Sequence, residues 1–291
     1  MAEGRLAAIP RILLIILGVF WSGAVSAAGC NGDEALPEVI EGETLRVATL
    51  NIAHARGTAI NQLFVGRSRT ESNLDAVARL LAAERVDVVS LQELDVDSLW
   101  SGQFDHAARL MNESGLRCAA LGMHAQTWLY QFGTGLLSGT PLHRPHVVDF
   151  ESTPPTTTKG FVAATIRWRH NGWVRPIRLV SVHLDFLRKS ARDRQLDVLV
   201  NLAQSAMHPL VIMGDFNEGW GGEDSVVRNL VERAGMVVFQ PKSADLATYK
   251  SDRLDWILIS SELEFSGYRV SDEVVSDHLM VIAELSWKDR Q

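Results

Sequence analysis

Residues 211–218 read VIMGDFNE: three apolar residues run directly into a glycine, an acid, an aromatic, an amide and a second acid. The pattern recurs along the chain. VATLN ends in Asn51, VVSLQE ends in Gln92 and Glu93, and LVSVH ends in His183 with Asp185 close behind. RLDW opens an apolar run with Asp255, and SDH sets Asp277 and His278 just before the last one. A buried strand has no reason of its own to finish in groups that resist burial. A fold that brings these ends to one rim gathers carboxylates, amides and histidines in one place.

The runs between these points set the fold class. Strand-like segments fall at 45–51, 86–93, 135–139, 161–168, 177–184, 208–217, 254–260 and 279–287. Helical spacing appears over 73–84, 103–114, 190–207 and 223–234. RHNGW between two strand-like runs is a hairpin signal. The stretches 54–70 and 140–160 read as irregular, and the second contains Pro154–Pro155. Hairpins mixed with helices point to an α/β sandwich with mixed sheets.

The N-terminus differs from the rest. Arg5 and Arg11 precede an almost wholly apolar run, Ile12–Val25, and then SAAGC. A basic start, a short apolar run and small residues describe an export signal over 1–29. Two endings stay open: cleavage after Ala27 or Ala28, or a lipoprotein-type cleavage that leaves Cys30 lipidated and the protein at a membrane surface. Residues 30–43 are acidic with proline and glycine, and read as a linker to a domain over 44–291. Cys30 and Cys118 are the only cysteines, which excludes a disulfide framework and a thiolate zinc site. Cys118 is read as a small core residue, with a single Cys30–Cys118 bridge as the alternative after export. The net charge of −7 argues against a protein that grips nucleic acid by a broad basic surface.

The oxygen-rich set at the strand ends suits Mg²⁺, or Mn²⁺, better than a thiolate-loving metal. A hard cation beside histidines is the equipment for splitting a phosphate ester. Seven segments carry a specific resemblance: TLNI (49–52), LQELD (91–95), GTGLLSGTPL (133–142), SVHLDF (181–186), GDFNE (214–218), RLDWILIS (253–260) and SDHLMVIAEL (276–285). In this order they resemble the endonuclease/exonuclease/phosphatase superfamily, the DNase I-like metal-dependent phosphoesterases. The resemblance implies a four-layer α/β sandwich with two central mixed sheets flanked by helices.

It also implies roles. Glu93 resembles the principal metal ligand, with Asn51 close to the same ion and Asp277 on the metal side of the site. Asp215 resembles the carboxylate that orients or deprotonates the attacking water, and Asn217 the amide that supports phosphate or metal. Asp255 resembles the partner that orients His278, itself the phosphate contact or acid–base group. His183 is similar to a histidine of the DNase I-like, sphingomyelinase-like and phosphoinositide-phosphatase branches, which the abasic-site endonucleases lack. The tyrosine that those endonucleases place before GxGLLS falls here at Gln131, with Tyr130 one residue off.

Each residue alone has an ordinary reading. Asn51 and GDFN form turns, Glu93 is a surface acid, His183 a core histidine, and Asp255 pairs locally. Their joint placement at successive strand ends favours chemistry. The basic cluster Arg188, Lys189, Arg192 and Arg194 reads either as a solvated helix face or, through Arg188 and Arg192, as an attraction for substrate phosphate. His54, His106, His124, His143, His146, His170 and His208 show no metal-ligand spacing and receive no role.

The expectation is an exported, monomeric, metal-dependent phosphoesterase, periplasmic, extracellular or lipid-anchored, with a phosphodiester preferred over a monoester. The substrate, lipid, small molecule or nucleic acid, stays open, with acidity and the N-terminus leaning toward the first two. A catalytically silent member that binds a phosphate or a partner is the alternative.

Overall fold

A computed structural model of the chain describes residues 25–30, 36–222 and 224–288. Most of the expected export signal, residues 1–24, and part of the linker lie outside the described residues. Among the described residues, no helix is long and apolar enough to cross a membrane.

The strands are β1 (Val25–Cys30), β2 (Ile40–Glu41), β3 (Leu45–Asn51), β4 (Val88–Asp95), β5 (Cys118–Gln126), β6 (Gln131–Ser138) and β7 (His143–Asp149). They continue as β8 (Gly160–His170), β9 (Trp173–His183), β10 (Leu210–Asp215), β11 (Val237–Val238), β12 (Asp255–Ile259), β13 (Leu263–Val270) and β14 (Val281–Trp287). Among the described residues, four α-helices connect them: α1 (Arg67–Ala83), α2 (His106–Ser114), α3 (Lys189–Gln204) and α4 (Val226–Ala234).

One sheet runs β1-β5-β6-β4-β3-β14-β13; the other runs β11-β12-β10-β9-β8-β2, with β7 also paired to β8. Both are mixed: β3 pairs β4 and β9 pairs β10 in parallel, while most other neighbours are antiparallel.

Period-2 alternation builds the layers. In β10, Val211 and Met213 pack between the sheets, whereas Leu210 and Ile212 meet Leu196, Leu199 and Val200 of α3 and Leu230 of α4. In β3, Val47 faces the other sheet, while Ala48 and Leu50 meet Leu74, Val77 and Leu81 of α1. Strands buried on both faces read as continuous apolar runs, as these do. The result is helices, sheet, sheet, helices: the expected four-layer sandwich.

Three features depart from the expectations. The strands β1, β2, β5, β7, β11 and β13 were not visible as strand runs; β1 and β2 fall in the stretch read as signal and linker. CAALGMHAQ in β5 is rich in small residues without alternation, and β7 and β13 are partly exposed. The expected helix over 190–207 stops at Gln204, leaving Met207 exposed. Cys118 is not a lone core thiol: it forms a disulfide with Cys30, tying β1 to β5. Cys30 in this bridge has no thiol left to carry a lipid.

Candidate active site

Side-chain parity explains why the polar strand ends converge. Val47, Thr49 and Asn51 share the intersheet face of β3, as Val211, Met213 and Asp215 do in β10, and Ile259, Ile257 and Asp255 in β12. Ser181 and His183 share that face of β9. The registers align the ends: Asp215 is opposite His183 on one side and Asp255 on the other. A polar seam joins the two sheets just below. Gln92 Nε2 donates to Ser90 Oγ (2.8 Å), Ser90 Oγ to Ser181 Oγ (2.8 Å), and Ser181 Oγ to the Leu91 carbonyl (3.1 Å).

Glu93 breaks the alternation and still reaches the cleft. It sits where the β4–β6 register shifts, with φ of 53°. Such a bulge re-aims one side chain, and the left-handed backbone at a non-glycine residue is a strain that the fold holds in place. Gly214 has the opposite task. A Cβ there would stand 1.9 Å from the Val182 carbonyl oxygen, so only glycine lets β10 lie this close to β9 ahead of Asp215.

Asp215 Oδ2 is the hub. Asn51 Nδ2 donates to it at 3.0 Å, His183 Nε2 lies at 3.6 Å and His278 Nε2 at 4.0 Å. Its other oxygen accepts from the Asn217 amide (2.8 Å), which closes the turn in which Asn217 has φ of 50°. Asn217 Nδ2 donates to the Leu184 carbonyl (3.1 Å). His278 Nδ1 lies 2.8 Å from Asp255 Oδ2. Asp255 is fully buried, its amide donates to Thr248 Oγ1 (3.1 Å), and its Oδ1 has no partner.

The electrostatics divide the site. Burial and the neighbouring Asp255 push Asp215 up to about 7, against the pull of His278 and Asn51. For His278, burial opposes charging, but Asp255, Asp215 and Asp277 overcome it and raise the imidazole to about 10. Glu93 goes the other way. Burial would raise it, but His54, Lys159, His183 and His278 hold it down to about 2. His183 is held well below its ordinary value by burial and by Lys159, so it is neutral.

Two residues without an expected role stand in this site. His54 lies 3.4 Å from Glu93 and 2.8 Å from Asp95, in a turn where residues 53–55 all have positive φ. Burial opposes its charging, yet Glu93 and Asp95 hold its pKa above the ordinary value. Lys159 is buried, with Nζ 3.3 Å from His183 Nδ1; burial lowers its pKa while Glu93, Asp215 and Asp185 oppose this. The same ammonium lies 3.5 Å from His183 Nε2, so it flanks both ring nitrogens and has no acceptor to offer either. No spacing rule pointed to either residue. The only sequence signal was their position in or beside the two long irregular stretches.

Three expected site residues are engaged elsewhere. Asp277 takes two hydrogen bonds from the Arg56 guanidinium (2.7 and 3.1 Å). Arg192 pairs with Glu218 (3.0 Å) and also donates to the Asp185 carbonyl (3.0 Å), so it braces the loop after β9. Arg188 donates to the Pro154 carbonyl. Asp185, which follows His183 by two residues, is an organiser of that loop. It accepts from Thr153, Thr156 and the amides of Leu187 and Arg188. Tyr130 stacks on Trp100 (4.6 Å between rings) and borders a cavity of about 530 Å³ shared with His124, Asp149 and Thr156.

The donor chemistry fits a divalent cation. Glu93 is ionised and partly exposed beside the rim that carries Asn51. Asp215, Asp255 and His278 each offer a ligand atom within 4.8 Å of the others, and the buried Asp255 Oδ1 lacks a partner that a cation or a donor would supply. Oxygens dominate both groups, as hard cations require.

Comparisons with known proteins agree with this geometry. The family model described as Endonuclease/Exonuclease/phosphatase family matches residues 48–278. A structure from Beutenbergia cavernae described as endonuclease/exonuclease/phosphatase superposes with a TM-score of 0.64 at 18% identity, covering 84% of this chain and 72% of that one. The human nocturnin catalytic domain with bound sulfate gives 0.61 at 19%, covering 87% and 97%. A D. rerio TDP2 humanized by 14 mutations gives 0.61 at 15%, covering 84% and 100%. At these identities the likeness establishes the fold. No curated protein matches at a significant level.

Proposed function

The chain belongs to the endonuclease/exonuclease/phosphatase family, and from that premise we propose that it is an exported, Mg²⁺-dependent hydrolase of phosphate esters, phosphodiesters in preference to monoesters. The observation that carries the reading is the convergence of Asn51, His183 and His278 on one oxygen of Asp215, with Asp255 behind His278.

Asp215 is the base. A carboxylate poised at about 7 can hold a water's proton at neutral pH, whereas an ordinary aspartate is too acidic to take it. Asn51 and the Asn217 amide fix its rotamer. His278, protonated to about 10 and aligned by Asp255, presents Nε2–H to a phosphoryl oxygen or to the leaving oxygen. His183 stays neutral, with Nε2 facing Asp215. Lys159 offers its remaining N–H donors to the phosphate. Glu93 and Asn51 would hold the Mg²⁺, which when bound supplies positive charge for the phosphoryl oxygens. Asp255, through its free oxygen, is a candidate for a second position.

Export is part of the proposal, supported by the N-terminal pattern and by the Cys30–Cys118 disulfide, a bond that persists in oxidising compartments. The test is turnover of bis-p-nitrophenyl phosphate by the purified protein with Mg²⁺, with chelator, and with Asp215→Asn. Turnover that needs both the metal and Asp215 supports the reading. Turnover that resists chelator, or survives Asp215→Asn, contradicts it.

A further inference from the structure

Thirteen large apolar side chains are exposed among the described residues, and they are not scattered. Nine stand on five loops at the catalytic rim. The loop leaving β3 after Asn51 carries Ile60, Leu63 and Phe64, exposed to 97%, 68% and 84%. The segment after β4 carries Leu99, and the β5–β6 turn carries Leu129 and Trp128, the last 86% exposed. The loop after His183 holds Phe186 and Leu187, and the loop before β14 holds Val274. The pairings place all five at the same end. Phe132 at the start of β6 is opposite Asp95 at the end of β4, Val281 at the start of β14 is opposite Thr49 in β3, and His183 is opposite Asp215. The other four, Trp173, Val198, Met207 and Val237, lie on the turn between β8 and β9, on α3, and at the far ends of β10 and β12.

Exposed apolar groups scattered singly need no explanation, but a concentration rimmed by polar groups marks an interaction surface. These side chains stand on loops at the end of the sheets that holds Glu93, Asp215 and His278. Whatever covers them must also deliver a phosphoester inward from the same side. We propose that the rim docks on a lipid bilayer, and that the substrate is a phosphoester of an amphiphile held in that bilayer. The substrate part of this inference rests on the phosphoesterase reading; the docking part does not.

Two further observations favour a bilayer as the occupant. The apolar tips include Trp and Phe, whose rings suit the boundary between head groups and acyl chains. Phe186 and Leu187 are followed directly by Arg188, whose guanidinium donates to the neutral Pro154 carbonyl and so keeps its charge beside the apolar tip, the arrangement that an acidic head-group layer attracts.

The test is co-sedimentation of the full chain with vesicles of phosphatidylcholine and phosphatidylglycerol, using Asp215→Asn so that binding is read without hydrolysis. The comparison is the same protein carrying Phe64→Ser, Trp128→Ser and Phe186→Ser, three exposed positions whose change leaves the core intact. The proposal predicts at least tenfold weaker vesicle binding for the triple variant. On the Asp215 background of the native chain, the triple change should leave turnover of soluble bis-p-nitrophenyl phosphate within twofold. Equal vesicle binding by both forms would overturn the proposal and assign the binding to the N-terminal run. Absence of binding by either form would overturn it and leave the rim to a protein partner. Vesicle binding that depends on the three residues, without turnover of any phosphoester, soluble or carried in the vesicles, would uphold the docking and sink the phosphoesterase reading instead.

Discussion

Glu93 and Asp215 both end central strands at one rim, and their surroundings push them in opposite directions. Glu93 stands among His54, Lys159, His183 and His278 and is ionised down to about 2. Asp215 stands beside Asp255 in a drier position and is lifted to about 7. Two carboxylates of similar chemistry thus acquire different work. One is a permanent anion suited to hold a cation, and the other is a base poised for proton transfer. Separation of paired pKa values is how a site assigns its acid and base roles.

The sharpest way to break this contrast is to make each acid its amide. Asp215→Asn should reduce kcat by about 10³-fold, in the range of a lost general base, and added Mg²⁺ should not restore it. Glu93→Gln should lose about 10²-fold at a fixed low Mg²⁺ concentration, a typical cost of a disturbed metal site, and should recover in part as Mg²⁺ is raised. Recovery of the Asp215 variant by metal would erase the division of roles.

Next in size is Lys159→Met, expected to lower kcat/KM by about tenfold to a hundredfold, the scale of one lost charge-assisted contact. The distinguishing readout is the His183 ring, whose pKa should rise toward its ordinary value in the variant when followed by NMR. Lys159→Arg should recover part of the turnover. An unchanged His183 titration would show that Lys159 does not set its protonation.

The pH dependence follows from the same pair. Turnover should fall as pH drops below about 7, where Asp215 gains its proton, and fall again above about 10, where His278 loses its own. Stability carries opposite signs. The folded value of Asp215 lies above its ordinary 3.8, so its contribution is full below 3.8 and is lost as pH rises through about 7. Asp215→Asn should therefore raise Tm at pH ~8 relative to the native chain. The folded value of Glu93 lies below its ordinary 4.5, so its contribution is full above 4.5 and is lost as pH falls toward about 2. Glu93→Gln should lower Tm at the same pH. Thermal melts of the two variants in metal-free buffer check both signs.

The smallest effect should come from Arg192→Ala. Its guanidinium is bound to Glu218 and to the Asp185 carbonyl, not to the cleft. Within about threefold of native kcat/KM is expected, since a remote brace acts only through the loop it holds.

Much of this was legible because strands obey a period of two. Asn51, His183, Asp215 and Asp255 lie on the intersheet parity of runs that the sequence shows plainly, so their convergence follows once the sheets face each other. The four-layer architecture is readable from the same runs. Glu93 was legible only by resemblance, since parity alone would aim it the wrong way and the bulge that corrects it has no sequence signature of its own. His54 and Lys159 were missed because they sit outside regular structure. His54 lies in a left-handed turn, and Lys159 follows the Pro154–Pro155 loop, where neither periodicity nor ligand spacing gives a signal. Arg192 was overread for a related reason. A basic cluster on a helix shows its charge in the sequence, but not that Glu218, 26 residues away, already neutralises it.

The most direct measurement is a carboxyl ¹³C titration of Glu93 and Asp215 in the metal-free protein. The expected result is a Glu93 that remains ionised to the acid limit of the folded state and an Asp215 that titrates near 7. Two carboxyls titrating together near their ordinary values would contradict the division of the site into a cation holder and a base.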